Sequence, residues 1–139
     1  KTFEYKIKIV EHHLDTFGHM NNATYLALYE EARWDFITQN GYGLEEIQKE
    51  LKGPVILDVS CRYKREIKNR ETITIVSHTK EMKGKIGHIY QEMIKEDGTV
   101  ASDATFTVGF MDMKLRKLIS PTEAWLKAVG QEENASQSP

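Results

Sequence analysis

The sequence predicts a single α+β domain in which strands wrap around one long, early helix. Three observations favour this class. The chain of 139 residues is 40% hydrophobic, which suits one compact core. A helical stripe of apolar residues occurs near the N-terminus, and period-two patterns fill most of the chain from residue 55 to residue 112. No internal repeat or second domain is apparent, so we expect the domain to span residues 1–130.

The first strand and the long helix are predicted from their periodicities. Apolar residues alternate with charged ones from Phe3 to Ile9, which is typical of a strand with one buried face. From about Asn22 to Asn40 the apolar residues recur every three or four positions, which predicts a helix that stops at Gly41. The first half of this helix is apolar nearly all round, so we expect the sheet to cover it.

Shorter elements complete the predicted domain. A second, more exposed helix is predicted from Leu44 to Leu51, and a final helix from Pro121 to about Val129, with the proline in its first turn. The polar segment 131–139 is predicted to be a disordered tail. Four further strands are predicted around residues 55–64, 72–75, 86–90 and 104–110, the last two joined by a hairpin at 96–98.

Composition excludes several classes of function. With 19 basic and 21 acidic residues the net charge is -2, which gives no general attraction to nucleic acid or to an anionic membrane. The N-terminal segment has no long apolar run, so we expect neither a secretory signal nor a membrane span. The single cysteine, Cys61, cannot form an intrachain disulfide or a multi-cysteine metal site, which favours a reducing, cytoplasmic location. No nucleotide-binding or zinc motif is present, so no cofactor or metal is expected.

The segment DTFGHMNNATY, which begins at Asp15, carries the most specific information. It resembles the loop-to-helix motif of hotdog-fold thioesterases of the 4-hydroxybenzoyl-CoA thioesterase type, and its GHMNN portion is similar to plant-type acyl-ACP thioesterases. The EEAR, RYKREI, DG and TFTVGFMD segments occur after it in the family's order. The resemblance implies a five-stranded antiparallel sheet around the helix and hydrolysis of an acyl-CoA or acyl-ACP thioester. It also implies a homodimer or dimer-based tetramer with the active site between subunits.

The candidate site residues lie around the start of the helix, and the resemblance assigns two of them, Asp15 and Asn22. Asp15 matches the family's catalytic aspartate, which acts either as a nucleophile or as the general base for water. Gly18 permits a positive φ or the close approach of a ligand. Asn22 matches the position whose backbone N–H contacts the thioester carbonyl, although asparagine is also a common helix cap. His19 could bind the carbonyl, hold Asp15 or transfer a proton, since histidine titrates near neutrality.

Other groups are weaker candidates. Lys83 and Lys85 match a basic turn that meets CoA phosphates in the family, whereas exposed lysines on a hairpin are more often simply solvated. Glu30 or Glu31 could replace Asp15, as in a branch with a glutamate on the central helix, but a local ion pair with Arg33 is the preferred interpretation.

Two other functions remain open from the sequence. A non-catalytic acyl-CoA-binding module would keep the pocket without using Asp15. A dehydratase of hydroxyacyl thioesters would need a catalytic histidine, and neither His78 nor His88 lies in a recognisable motif for that role.

Overall fold

The computed structural model describes residues 1–131 of the chain. All but the first residue of the predicted tail, 131–139, therefore lies outside the described residues. Gln131 itself is buried, and its side-chain amide donates a hydrogen bond of 3.1 Å to the carbonyl oxygen of Thr79. The described domain thus extends one residue into the segment predicted as a tail.

The described part of the chain contains three α-helices and six strands, and most of the strands follow one another in sequence. A single 3-10 turn, Glu11–His13, comes after the first strand. The helices are α1 (Asn22–Gln39), α2 (Leu44–Glu50) and α3 (Glu123–Ala128). The strands are β1 (Thr2–Lys8), β2 (Lys52–Tyr63), β3 (Thr72–Lys83), β4 (Ile86–Lys95), β5 (Val100–Asp112) and β6 (Lys117–Leu118).

All strands belong to one antiparallel sheet in the order β1-β3-β4-β5-β2, and β6 pairs with the end of β5. The five long strands confirm those predicted, whereas β6 has two residues and is too short to show a period-two pattern. The register shifts once in each of the pairs β2–β5, β3–β4 and β4–β5, and such bulges increase the local twist. β1 and β2 are left as the two edges of a twisted sheet.

Helix α1 packs against one face of this sheet and forms the centre of the core. It has 18 residues and is therefore about 27 Å long at 1.5 Å per residue. Phe36 stacks on Phe3 of β1 with ring centroids 4.4 Å apart, and Tyr29 meets Phe106 of β5 edge-on at 5.9 Å. Because aromatic residues from both halves of the helix contact strands, the structure confirms the predicted helix wrapped by sheet.

The predicted end of α1 is confirmed, whereas the predicted start of the last helix is wrong. Gly41 has a φ of +97°, so it provides the left-handed residue at which α1 was predicted to stop. The prediction that Pro121 lies in the first turn of the last helix is wrong, because Thr122 is the N-cap and its hydroxyl accepts the N–H of Trp125 at 3.3 Å. Among residues 1–131, no helix is long and apolar enough to cross a membrane.

The edge strand β2 exposes several large apolar side chains. Four of them keep between 39% and 45% of their surface exposed, namely Ile56, Leu57, Val59 and Tyr63. Within the described residues β2 is hydrogen-bonded on one side, to β5, over its full length. An edge with unpaired backbone groups and exposed apolar side chains is a surface that another strand can cover.

Candidate active site

Asp15 lies in a tight turn between the 3-10 turn and α1. Its Oδ1 atom accepts two backbone N–H groups, from Phe17 at 2.9 Å and from His19 at 3.0 Å. Its own backbone N–H donates to the carbonyl oxygen of His19 at 2.9 Å, and Gly18 N–H donates back to the carbonyl of Asp15 at 3.0 Å. Gly18 has a φ of +80°, which a side chain would disfavour, so a glycine is what allows this turn to close.

The turn keeps the Asp15 carboxylate ionised and leaves one of its oxygens available. The N–H of His19, together with that of Phe17 and the nearby His19 imidazole, holds the pKa of Asp15 below its usual range. Oδ2 accepts no hydrogen bond from the described residues, and the side chain is exposed. The arrangement therefore presents a fixed carboxylate with a free oxygen, which suits either attack on carbon or removal of a proton from water.

The first turn of α1 begins two residues after the Asp15 turn. Asn21 is the N-cap, and its Oδ1 accepts the N–H of Thr24 at 3.0 Å. Asn22 is consequently the first helical residue rather than the cap. A backbone N–H at that position has no acceptor within its own helix, and the positive end of the helix dipole lies there. The N–H of Asn22 is thus available to an electronegative ligand atom.

The side chain and the backbone of His19 contact different residues. The imidazole Nε2 lies 3.7 Å from a carboxylate oxygen of Glu66, in the loop between β2 and β3, and both side chains are exposed. The contact of His19 with Asp15 is made instead by its backbone N–H. Sequence reasoning did not identify Glu66, because no local pattern links it to a residue so far away in the chain.

A pair of tyrosines adjoins the start of α1. Tyr25, in the first turn, meets Tyr63 at the end of β2 edge-on, with ring centroids 4.8 Å apart. Tyr63 pairs across the sheet with Ser102 of β5. The N-terminus of α1 therefore lies level with the Tyr63 end of the edge strand.

The predicted phosphate-binding lysines lie at the other end of the sheet. Lys83 and Lys85 flank Gly84 in the turn between β3 and β4, and the next residue, Ile86, pairs with Gly109 of β5. Seven residues of β5 separate Gly109 from the level of Tyr63, which is about 23 Å at 3.3 Å per residue. A single subunit therefore does not bring Lys83 and Lys85 together with Asp15.

The predicted local ion pair in the EEAR segment is wrong. Arg33 points beneath α1, where it donates to the side-chain oxygen of Gln91 at 3.0 Å, and it forms no ion pair with a described carboxylate. Glu31 accepts the hydroxyl of Tyr5 at 2.5 Å, which raises the pKa of Tyr5 to about 12. Glu30 is eight residues beyond Asn22, about 12 Å along the helix, so neither glutamate adjoins the Asp15 turn.

The histidines of the sheet lie away from the start of α1. Positions that face α1 on β3 and β4 are buried, as Gln91 shows by bonding to the backbone of α1. His78 and His88 occupy the alternate, half-exposed positions on the opposite face. In residues 1–131 no group of three or more His, Cys, Asp or Glu side chains is placed to hold a metal ion.

Comparisons with known proteins match this architecture. A family model described as the thioesterase-like superfamily matches residues 10–129. The long-chain acyl-CoA thioesterase FadM of Escherichia coli (strain K12) is 32% identical over 116 residues, which is 83% of this chain and 87% of that protein. The structure of the probable thioesterase YbaW from Escherichia coli is 28% identical, with a TM-score of 0.81 and coverage of 93% of this chain and 97% of that one.

A structure from Staphylococcus aureus, of a hypothetical protein in complex with CoA, has a TM-score of 0.88 at 19% identity and covers 96% of this chain and 85% of that one. This likeness supports the fold. The family model covers most of the chain, and the predicted hotdog fold and thioester hydrolase class agree with it. The chain therefore belongs to the thioesterase-like superfamily.

Proposed function

We propose that the protein is an acyl-CoA thioesterase in which Asp15 performs the central chemistry at the start of α1. The observation that carries this proposal is the geometry of the turn that leads into α1: two N–H groups hold Oδ1 of Asp15, while Oδ2 accepts no hydrogen bond from the described residues. The 32% identical relative, a long-chain acyl-CoA thioesterase, supports a long-chain acyl-CoA as the substrate class. The DTFGHMNN segment supports kinship with the 4-hydroxybenzoyl-CoA thioesterase type.

The reaction consumes water and a thioester and releases a carboxylic acid and a thiol. The N–H of Asn22 donates to the thioester carbonyl oxygen and stabilises the negative charge that develops there. Asp15 then acts in one of two ways. Its Oδ2 attacks the carbonyl carbon, expels the thiolate and leaves an anhydride that water hydrolyses, or it takes a proton from a water molecule that attacks the carbon directly.

His19 acts beside this pair. Its exposed imidazole, whose Nε2 lies 3.7 Å from a carboxylate oxygen of Glu66, can donate a hydrogen bond to the substrate carbonyl or deliver a proton to the departing thiolate. Its backbone N–H has the separate task of fixing Asp15. Replacement of His19 removes the imidazole but keeps that N–H, so the two contributions are separable.

The functional unit we propose is a homodimer joined through β2. The exposed apolar side chains of this strand and its unpaired edge support such an interface. If β2 of each subunit pairs antiparallel with β2 of the other, the Val55 end of one strand lies beside the Tyr63 end of the other. The turn that carries Lys83 and Lys85 then reaches the same end of the dimer as Asp15 of the partner subunit.

CoA is the proposed thiol carrier rather than an acyl-carrier protein. Lys83 and Lys85 are two cations on one exposed turn, which suits the phosphate groups of a nucleotide. Used across the dimer interface, they would hold the CoA nucleotide while its thioester lies against α1. A cytoplasmic location is proposed from this substrate and from Cys61, which is a free thiol.

Hydrolysis is favoured over the two alternatives. The two histidines considered for a dehydratase, His78 and His88, lie on the sheet face opposite α1. A binding module would need no free carboxylate oxygen beside the helix amides. The test is to incubate purified protein with short, long and aromatic acyl-CoAs, monitoring thiol release and identifying the products.

Stoichiometric acid and free CoA are expected, with faster release from long chains. Hydrated or dehydrated thioester products would support the dehydratase instead. Tight binding of every acyl-CoA with no thiol release would support the binding module.

A further inference from the structure

A small cleft of about 90 Å³ lies beneath the second half of α1 and opens to solvent. Helix α1 contributes Glu30, Arg33, Trp34 and Ile37 to its wall, which share one side of the helix through their spacing of three and four residues. The rest of the wall consists of apolar side chains from β2, β4, β5 and α3. The cleft is therefore an apolar chamber with one buried cation in its wall.

That cation, Arg33, is only 7% exposed. Its guanidinium carbon lies 4.0 Å from the centre of the Phe106 ring, and Nη1 donates to Gln91 at 3.0 Å. Burial lowers the pKa of Arg33 to about 10, so the side chain is still charged at neutral pH. A buried charge is normally paired with a carboxylate, and no described carboxylate pairs with this one.

Arg33 lines the cleft and has donors that no described group of the protein accepts. Nε and Nη2 have no hydrogen-bond acceptor among the described atoms of residues 1–131. Nε and Nη2 are also not fully buried. Among the described residues, the one fully buried polar side-chain atom without a partner is Thr79 Oγ1. Donors at the wall of an apolar cleft favour a ligand that brings an acceptor oxygen, since an apolar ligand would displace water and leave them unpaired.

The cleft lies on the same side of α1 as the first helical residue. Asn22, Leu26, Glu30, Arg33 and Ile37 succeed one another at intervals of three and four residues and so form one stripe along the helix. Asn22 and Arg33 are 11 residues apart, which is about 17 Å along the helix axis. An extended long acyl chain whose thioester lies at the N-terminus of α1 would bring its far end to Arg33.

We propose that this cleft binds the distal part of the acyl chain and that Arg33 selects long chains with an acceptor oxygen near their far end. The inference rests on the proposed acyl-CoA substrate. A hydroxyl, oxo or carboxylate group would each accept from Nε and Nη2. The neutral groups are favoured, because the carboxylate of Glu30 also lines the cleft and would repel an anion.

The test measures binding without turnover, so that its outcome is independent of hydrolysis. Thioether analogues of CoA are titrated into the intact protein by calorimetry: S-tetradecyl-CoA, its ω-hydroxy derivative and its ω-carboxy derivative. We expect the ω-hydroxy analogue to bind about tenfold more tightly than the plain one, as a charge-assisted hydrogen bond allows. The ω-carboxy analogue shows whether Glu30 discriminates against an anion. Equal or weaker binding of both oxygenated analogues overturns the inference.

Arg33→Met preserves much of the packing on Phe106 and removes every donor. The affinity ratio of the ω-hydroxy to the plain analogue should fall to about one in this variant. Arg65→Met is the matched control, because Arg65 is exposed and its guanidinium donates only to the carbonyl oxygen of Lys64, so the ratio should keep its wild-type value. A ratio that survives Arg33→Met also overturns the inference, and if that variant does not fold, the wild-type comparison still decides it.

Hydrolysis of tetradecanoyl-CoA tests the proposed function separately, because its chain has no oxygen at the far end for Arg33 to bind. Release of CoA from tetradecanoyl-CoA together with no preference among the tetradecyl analogues would retain the thioesterase and reject the role of Arg33. Preference among the analogues without release of CoA would do the reverse.

Discussion

In two turns of this protein an aspartate carboxylate accepts hydrogen bonds from residues just after it, but one turn leads into a helix and the other into a strand. Oδ1 of Asp15 accepts two N–H groups, and Oδ1 of Asp97 accepts the N–H and the hydroxyl of Thr99 at 2.9 and 2.7 Å. These hydrogen bonds lower the pKa of both carboxylates. Each turn also contains a glycine at positive φ, Gly18 at +80° and Gly98 at +90°.

The surroundings separate the two turns. Asp97 lies in the hairpin that joins β4 to β5, where the chain passes directly into a strand with paired amides. Asp15 leads instead into α1, whose first N–H groups have no acceptor in the helix. A depressed pKa and a constrained carboxylate are therefore common features of a turn in this fold, and only their position beside a helix N-terminus indicates chemistry.

The largest expected effect comes from replacing each carboxylate by its amide. Asp15→Asn keeps an oxygen that accepts the two N–H groups but removes the charge, so kcat for an acyl-CoA should fall by about a hundredfold or more. Asp97→Asn makes the same change in the hairpin and should leave kcat unchanged. Circular dichroism and thiol release measure both variants. Near-normal turnover by Asp15→Asn would remove Asp15 from the mechanism.

Replacing Gly18 or Gly98 by alanine should separate the effect of each turn on stability from its effect on activity. A Cβ at Gly18 or Gly98 meets no atom within 4 Å, so the cost of either substitution comes from the positive φ alone. Each variant should lose about 1 kcal/mol of unfolding free energy. Only Gly18→Ala should also lower kcat/KM, by about tenfold, because the carboxylate shifts relative to α1. Equal activity of the two variants, with equal loss of stability, would mean that the Asp15 turn tolerates displacement.

The basic turn at the other end of the sheet should affect binding. Lys83→Ala combined with Lys85→Ala should raise KM for acyl-CoA by about fivefold to tenfold with little change in kcat, because phosphate contacts act away from the reacting carbonyl. An acyl thioester of N-acetylcysteamine lacks the nucleotide, so the KM for this substrate should not change. Lys114→Ala, in the turn before β6, combined with Lys117→Ala, at the first residue of β6, is the control. Equal losses with both substrates would indicate a damaged fold.

The smallest expected effect is in the pH profile. The lowered pKa of Asp15 means that its carboxylate stays ionised as the pH falls from 7 to 5, so kcat/KM should stay level over that range if Asp15 alone controls it. The stability that the Asp15 and Asp97 hydrogen bonds add should decline only as the pH falls below about 3.9. An inflection near neutrality that His19→Gln abolishes would instead show that the imidazole takes part.

Much of the fold could be predicted because local patterns and global packing agree. The apolar periodicity of α1 and the end of this helix at Gly41 depend on residues within a few positions of one another. The hairpin at Gly98 depends on such local residues as well. The start of α3 was missed because proline and threonine compete for neighbouring positions, and the threonine hydroxyl makes the cap. Which asparagine caps α1 was equally ambiguous, since Asn21 and Asn22 are adjacent.

The site was less predictable because it depends on contacts between distant segments. The motif made Asp15 the candidate catalytic residue, but the partner of its neighbour His19 is Glu66, which comes from another loop. Arg33 was expected to pair locally with Glu30, yet it points under the helix to Gln91 and Phe106. Nothing in the spacing of the chain shows that the lysine turn and Asp15 lie at opposite ends of the sheet.

That separation has a consequence for mixtures of defective subunits. In the proposed dimer, each active site takes its carboxylate from one subunit and its lysines from the other. A subunit with Asp15→Asn and a subunit with both Lys83→Ala and Lys85→Ala would then form a heterodimer with one site that carries both defects and one that carries neither. Two impaired preparations should therefore complement each other when subunits exchange, and at low substrate concentration the mixture should be more active than either parent.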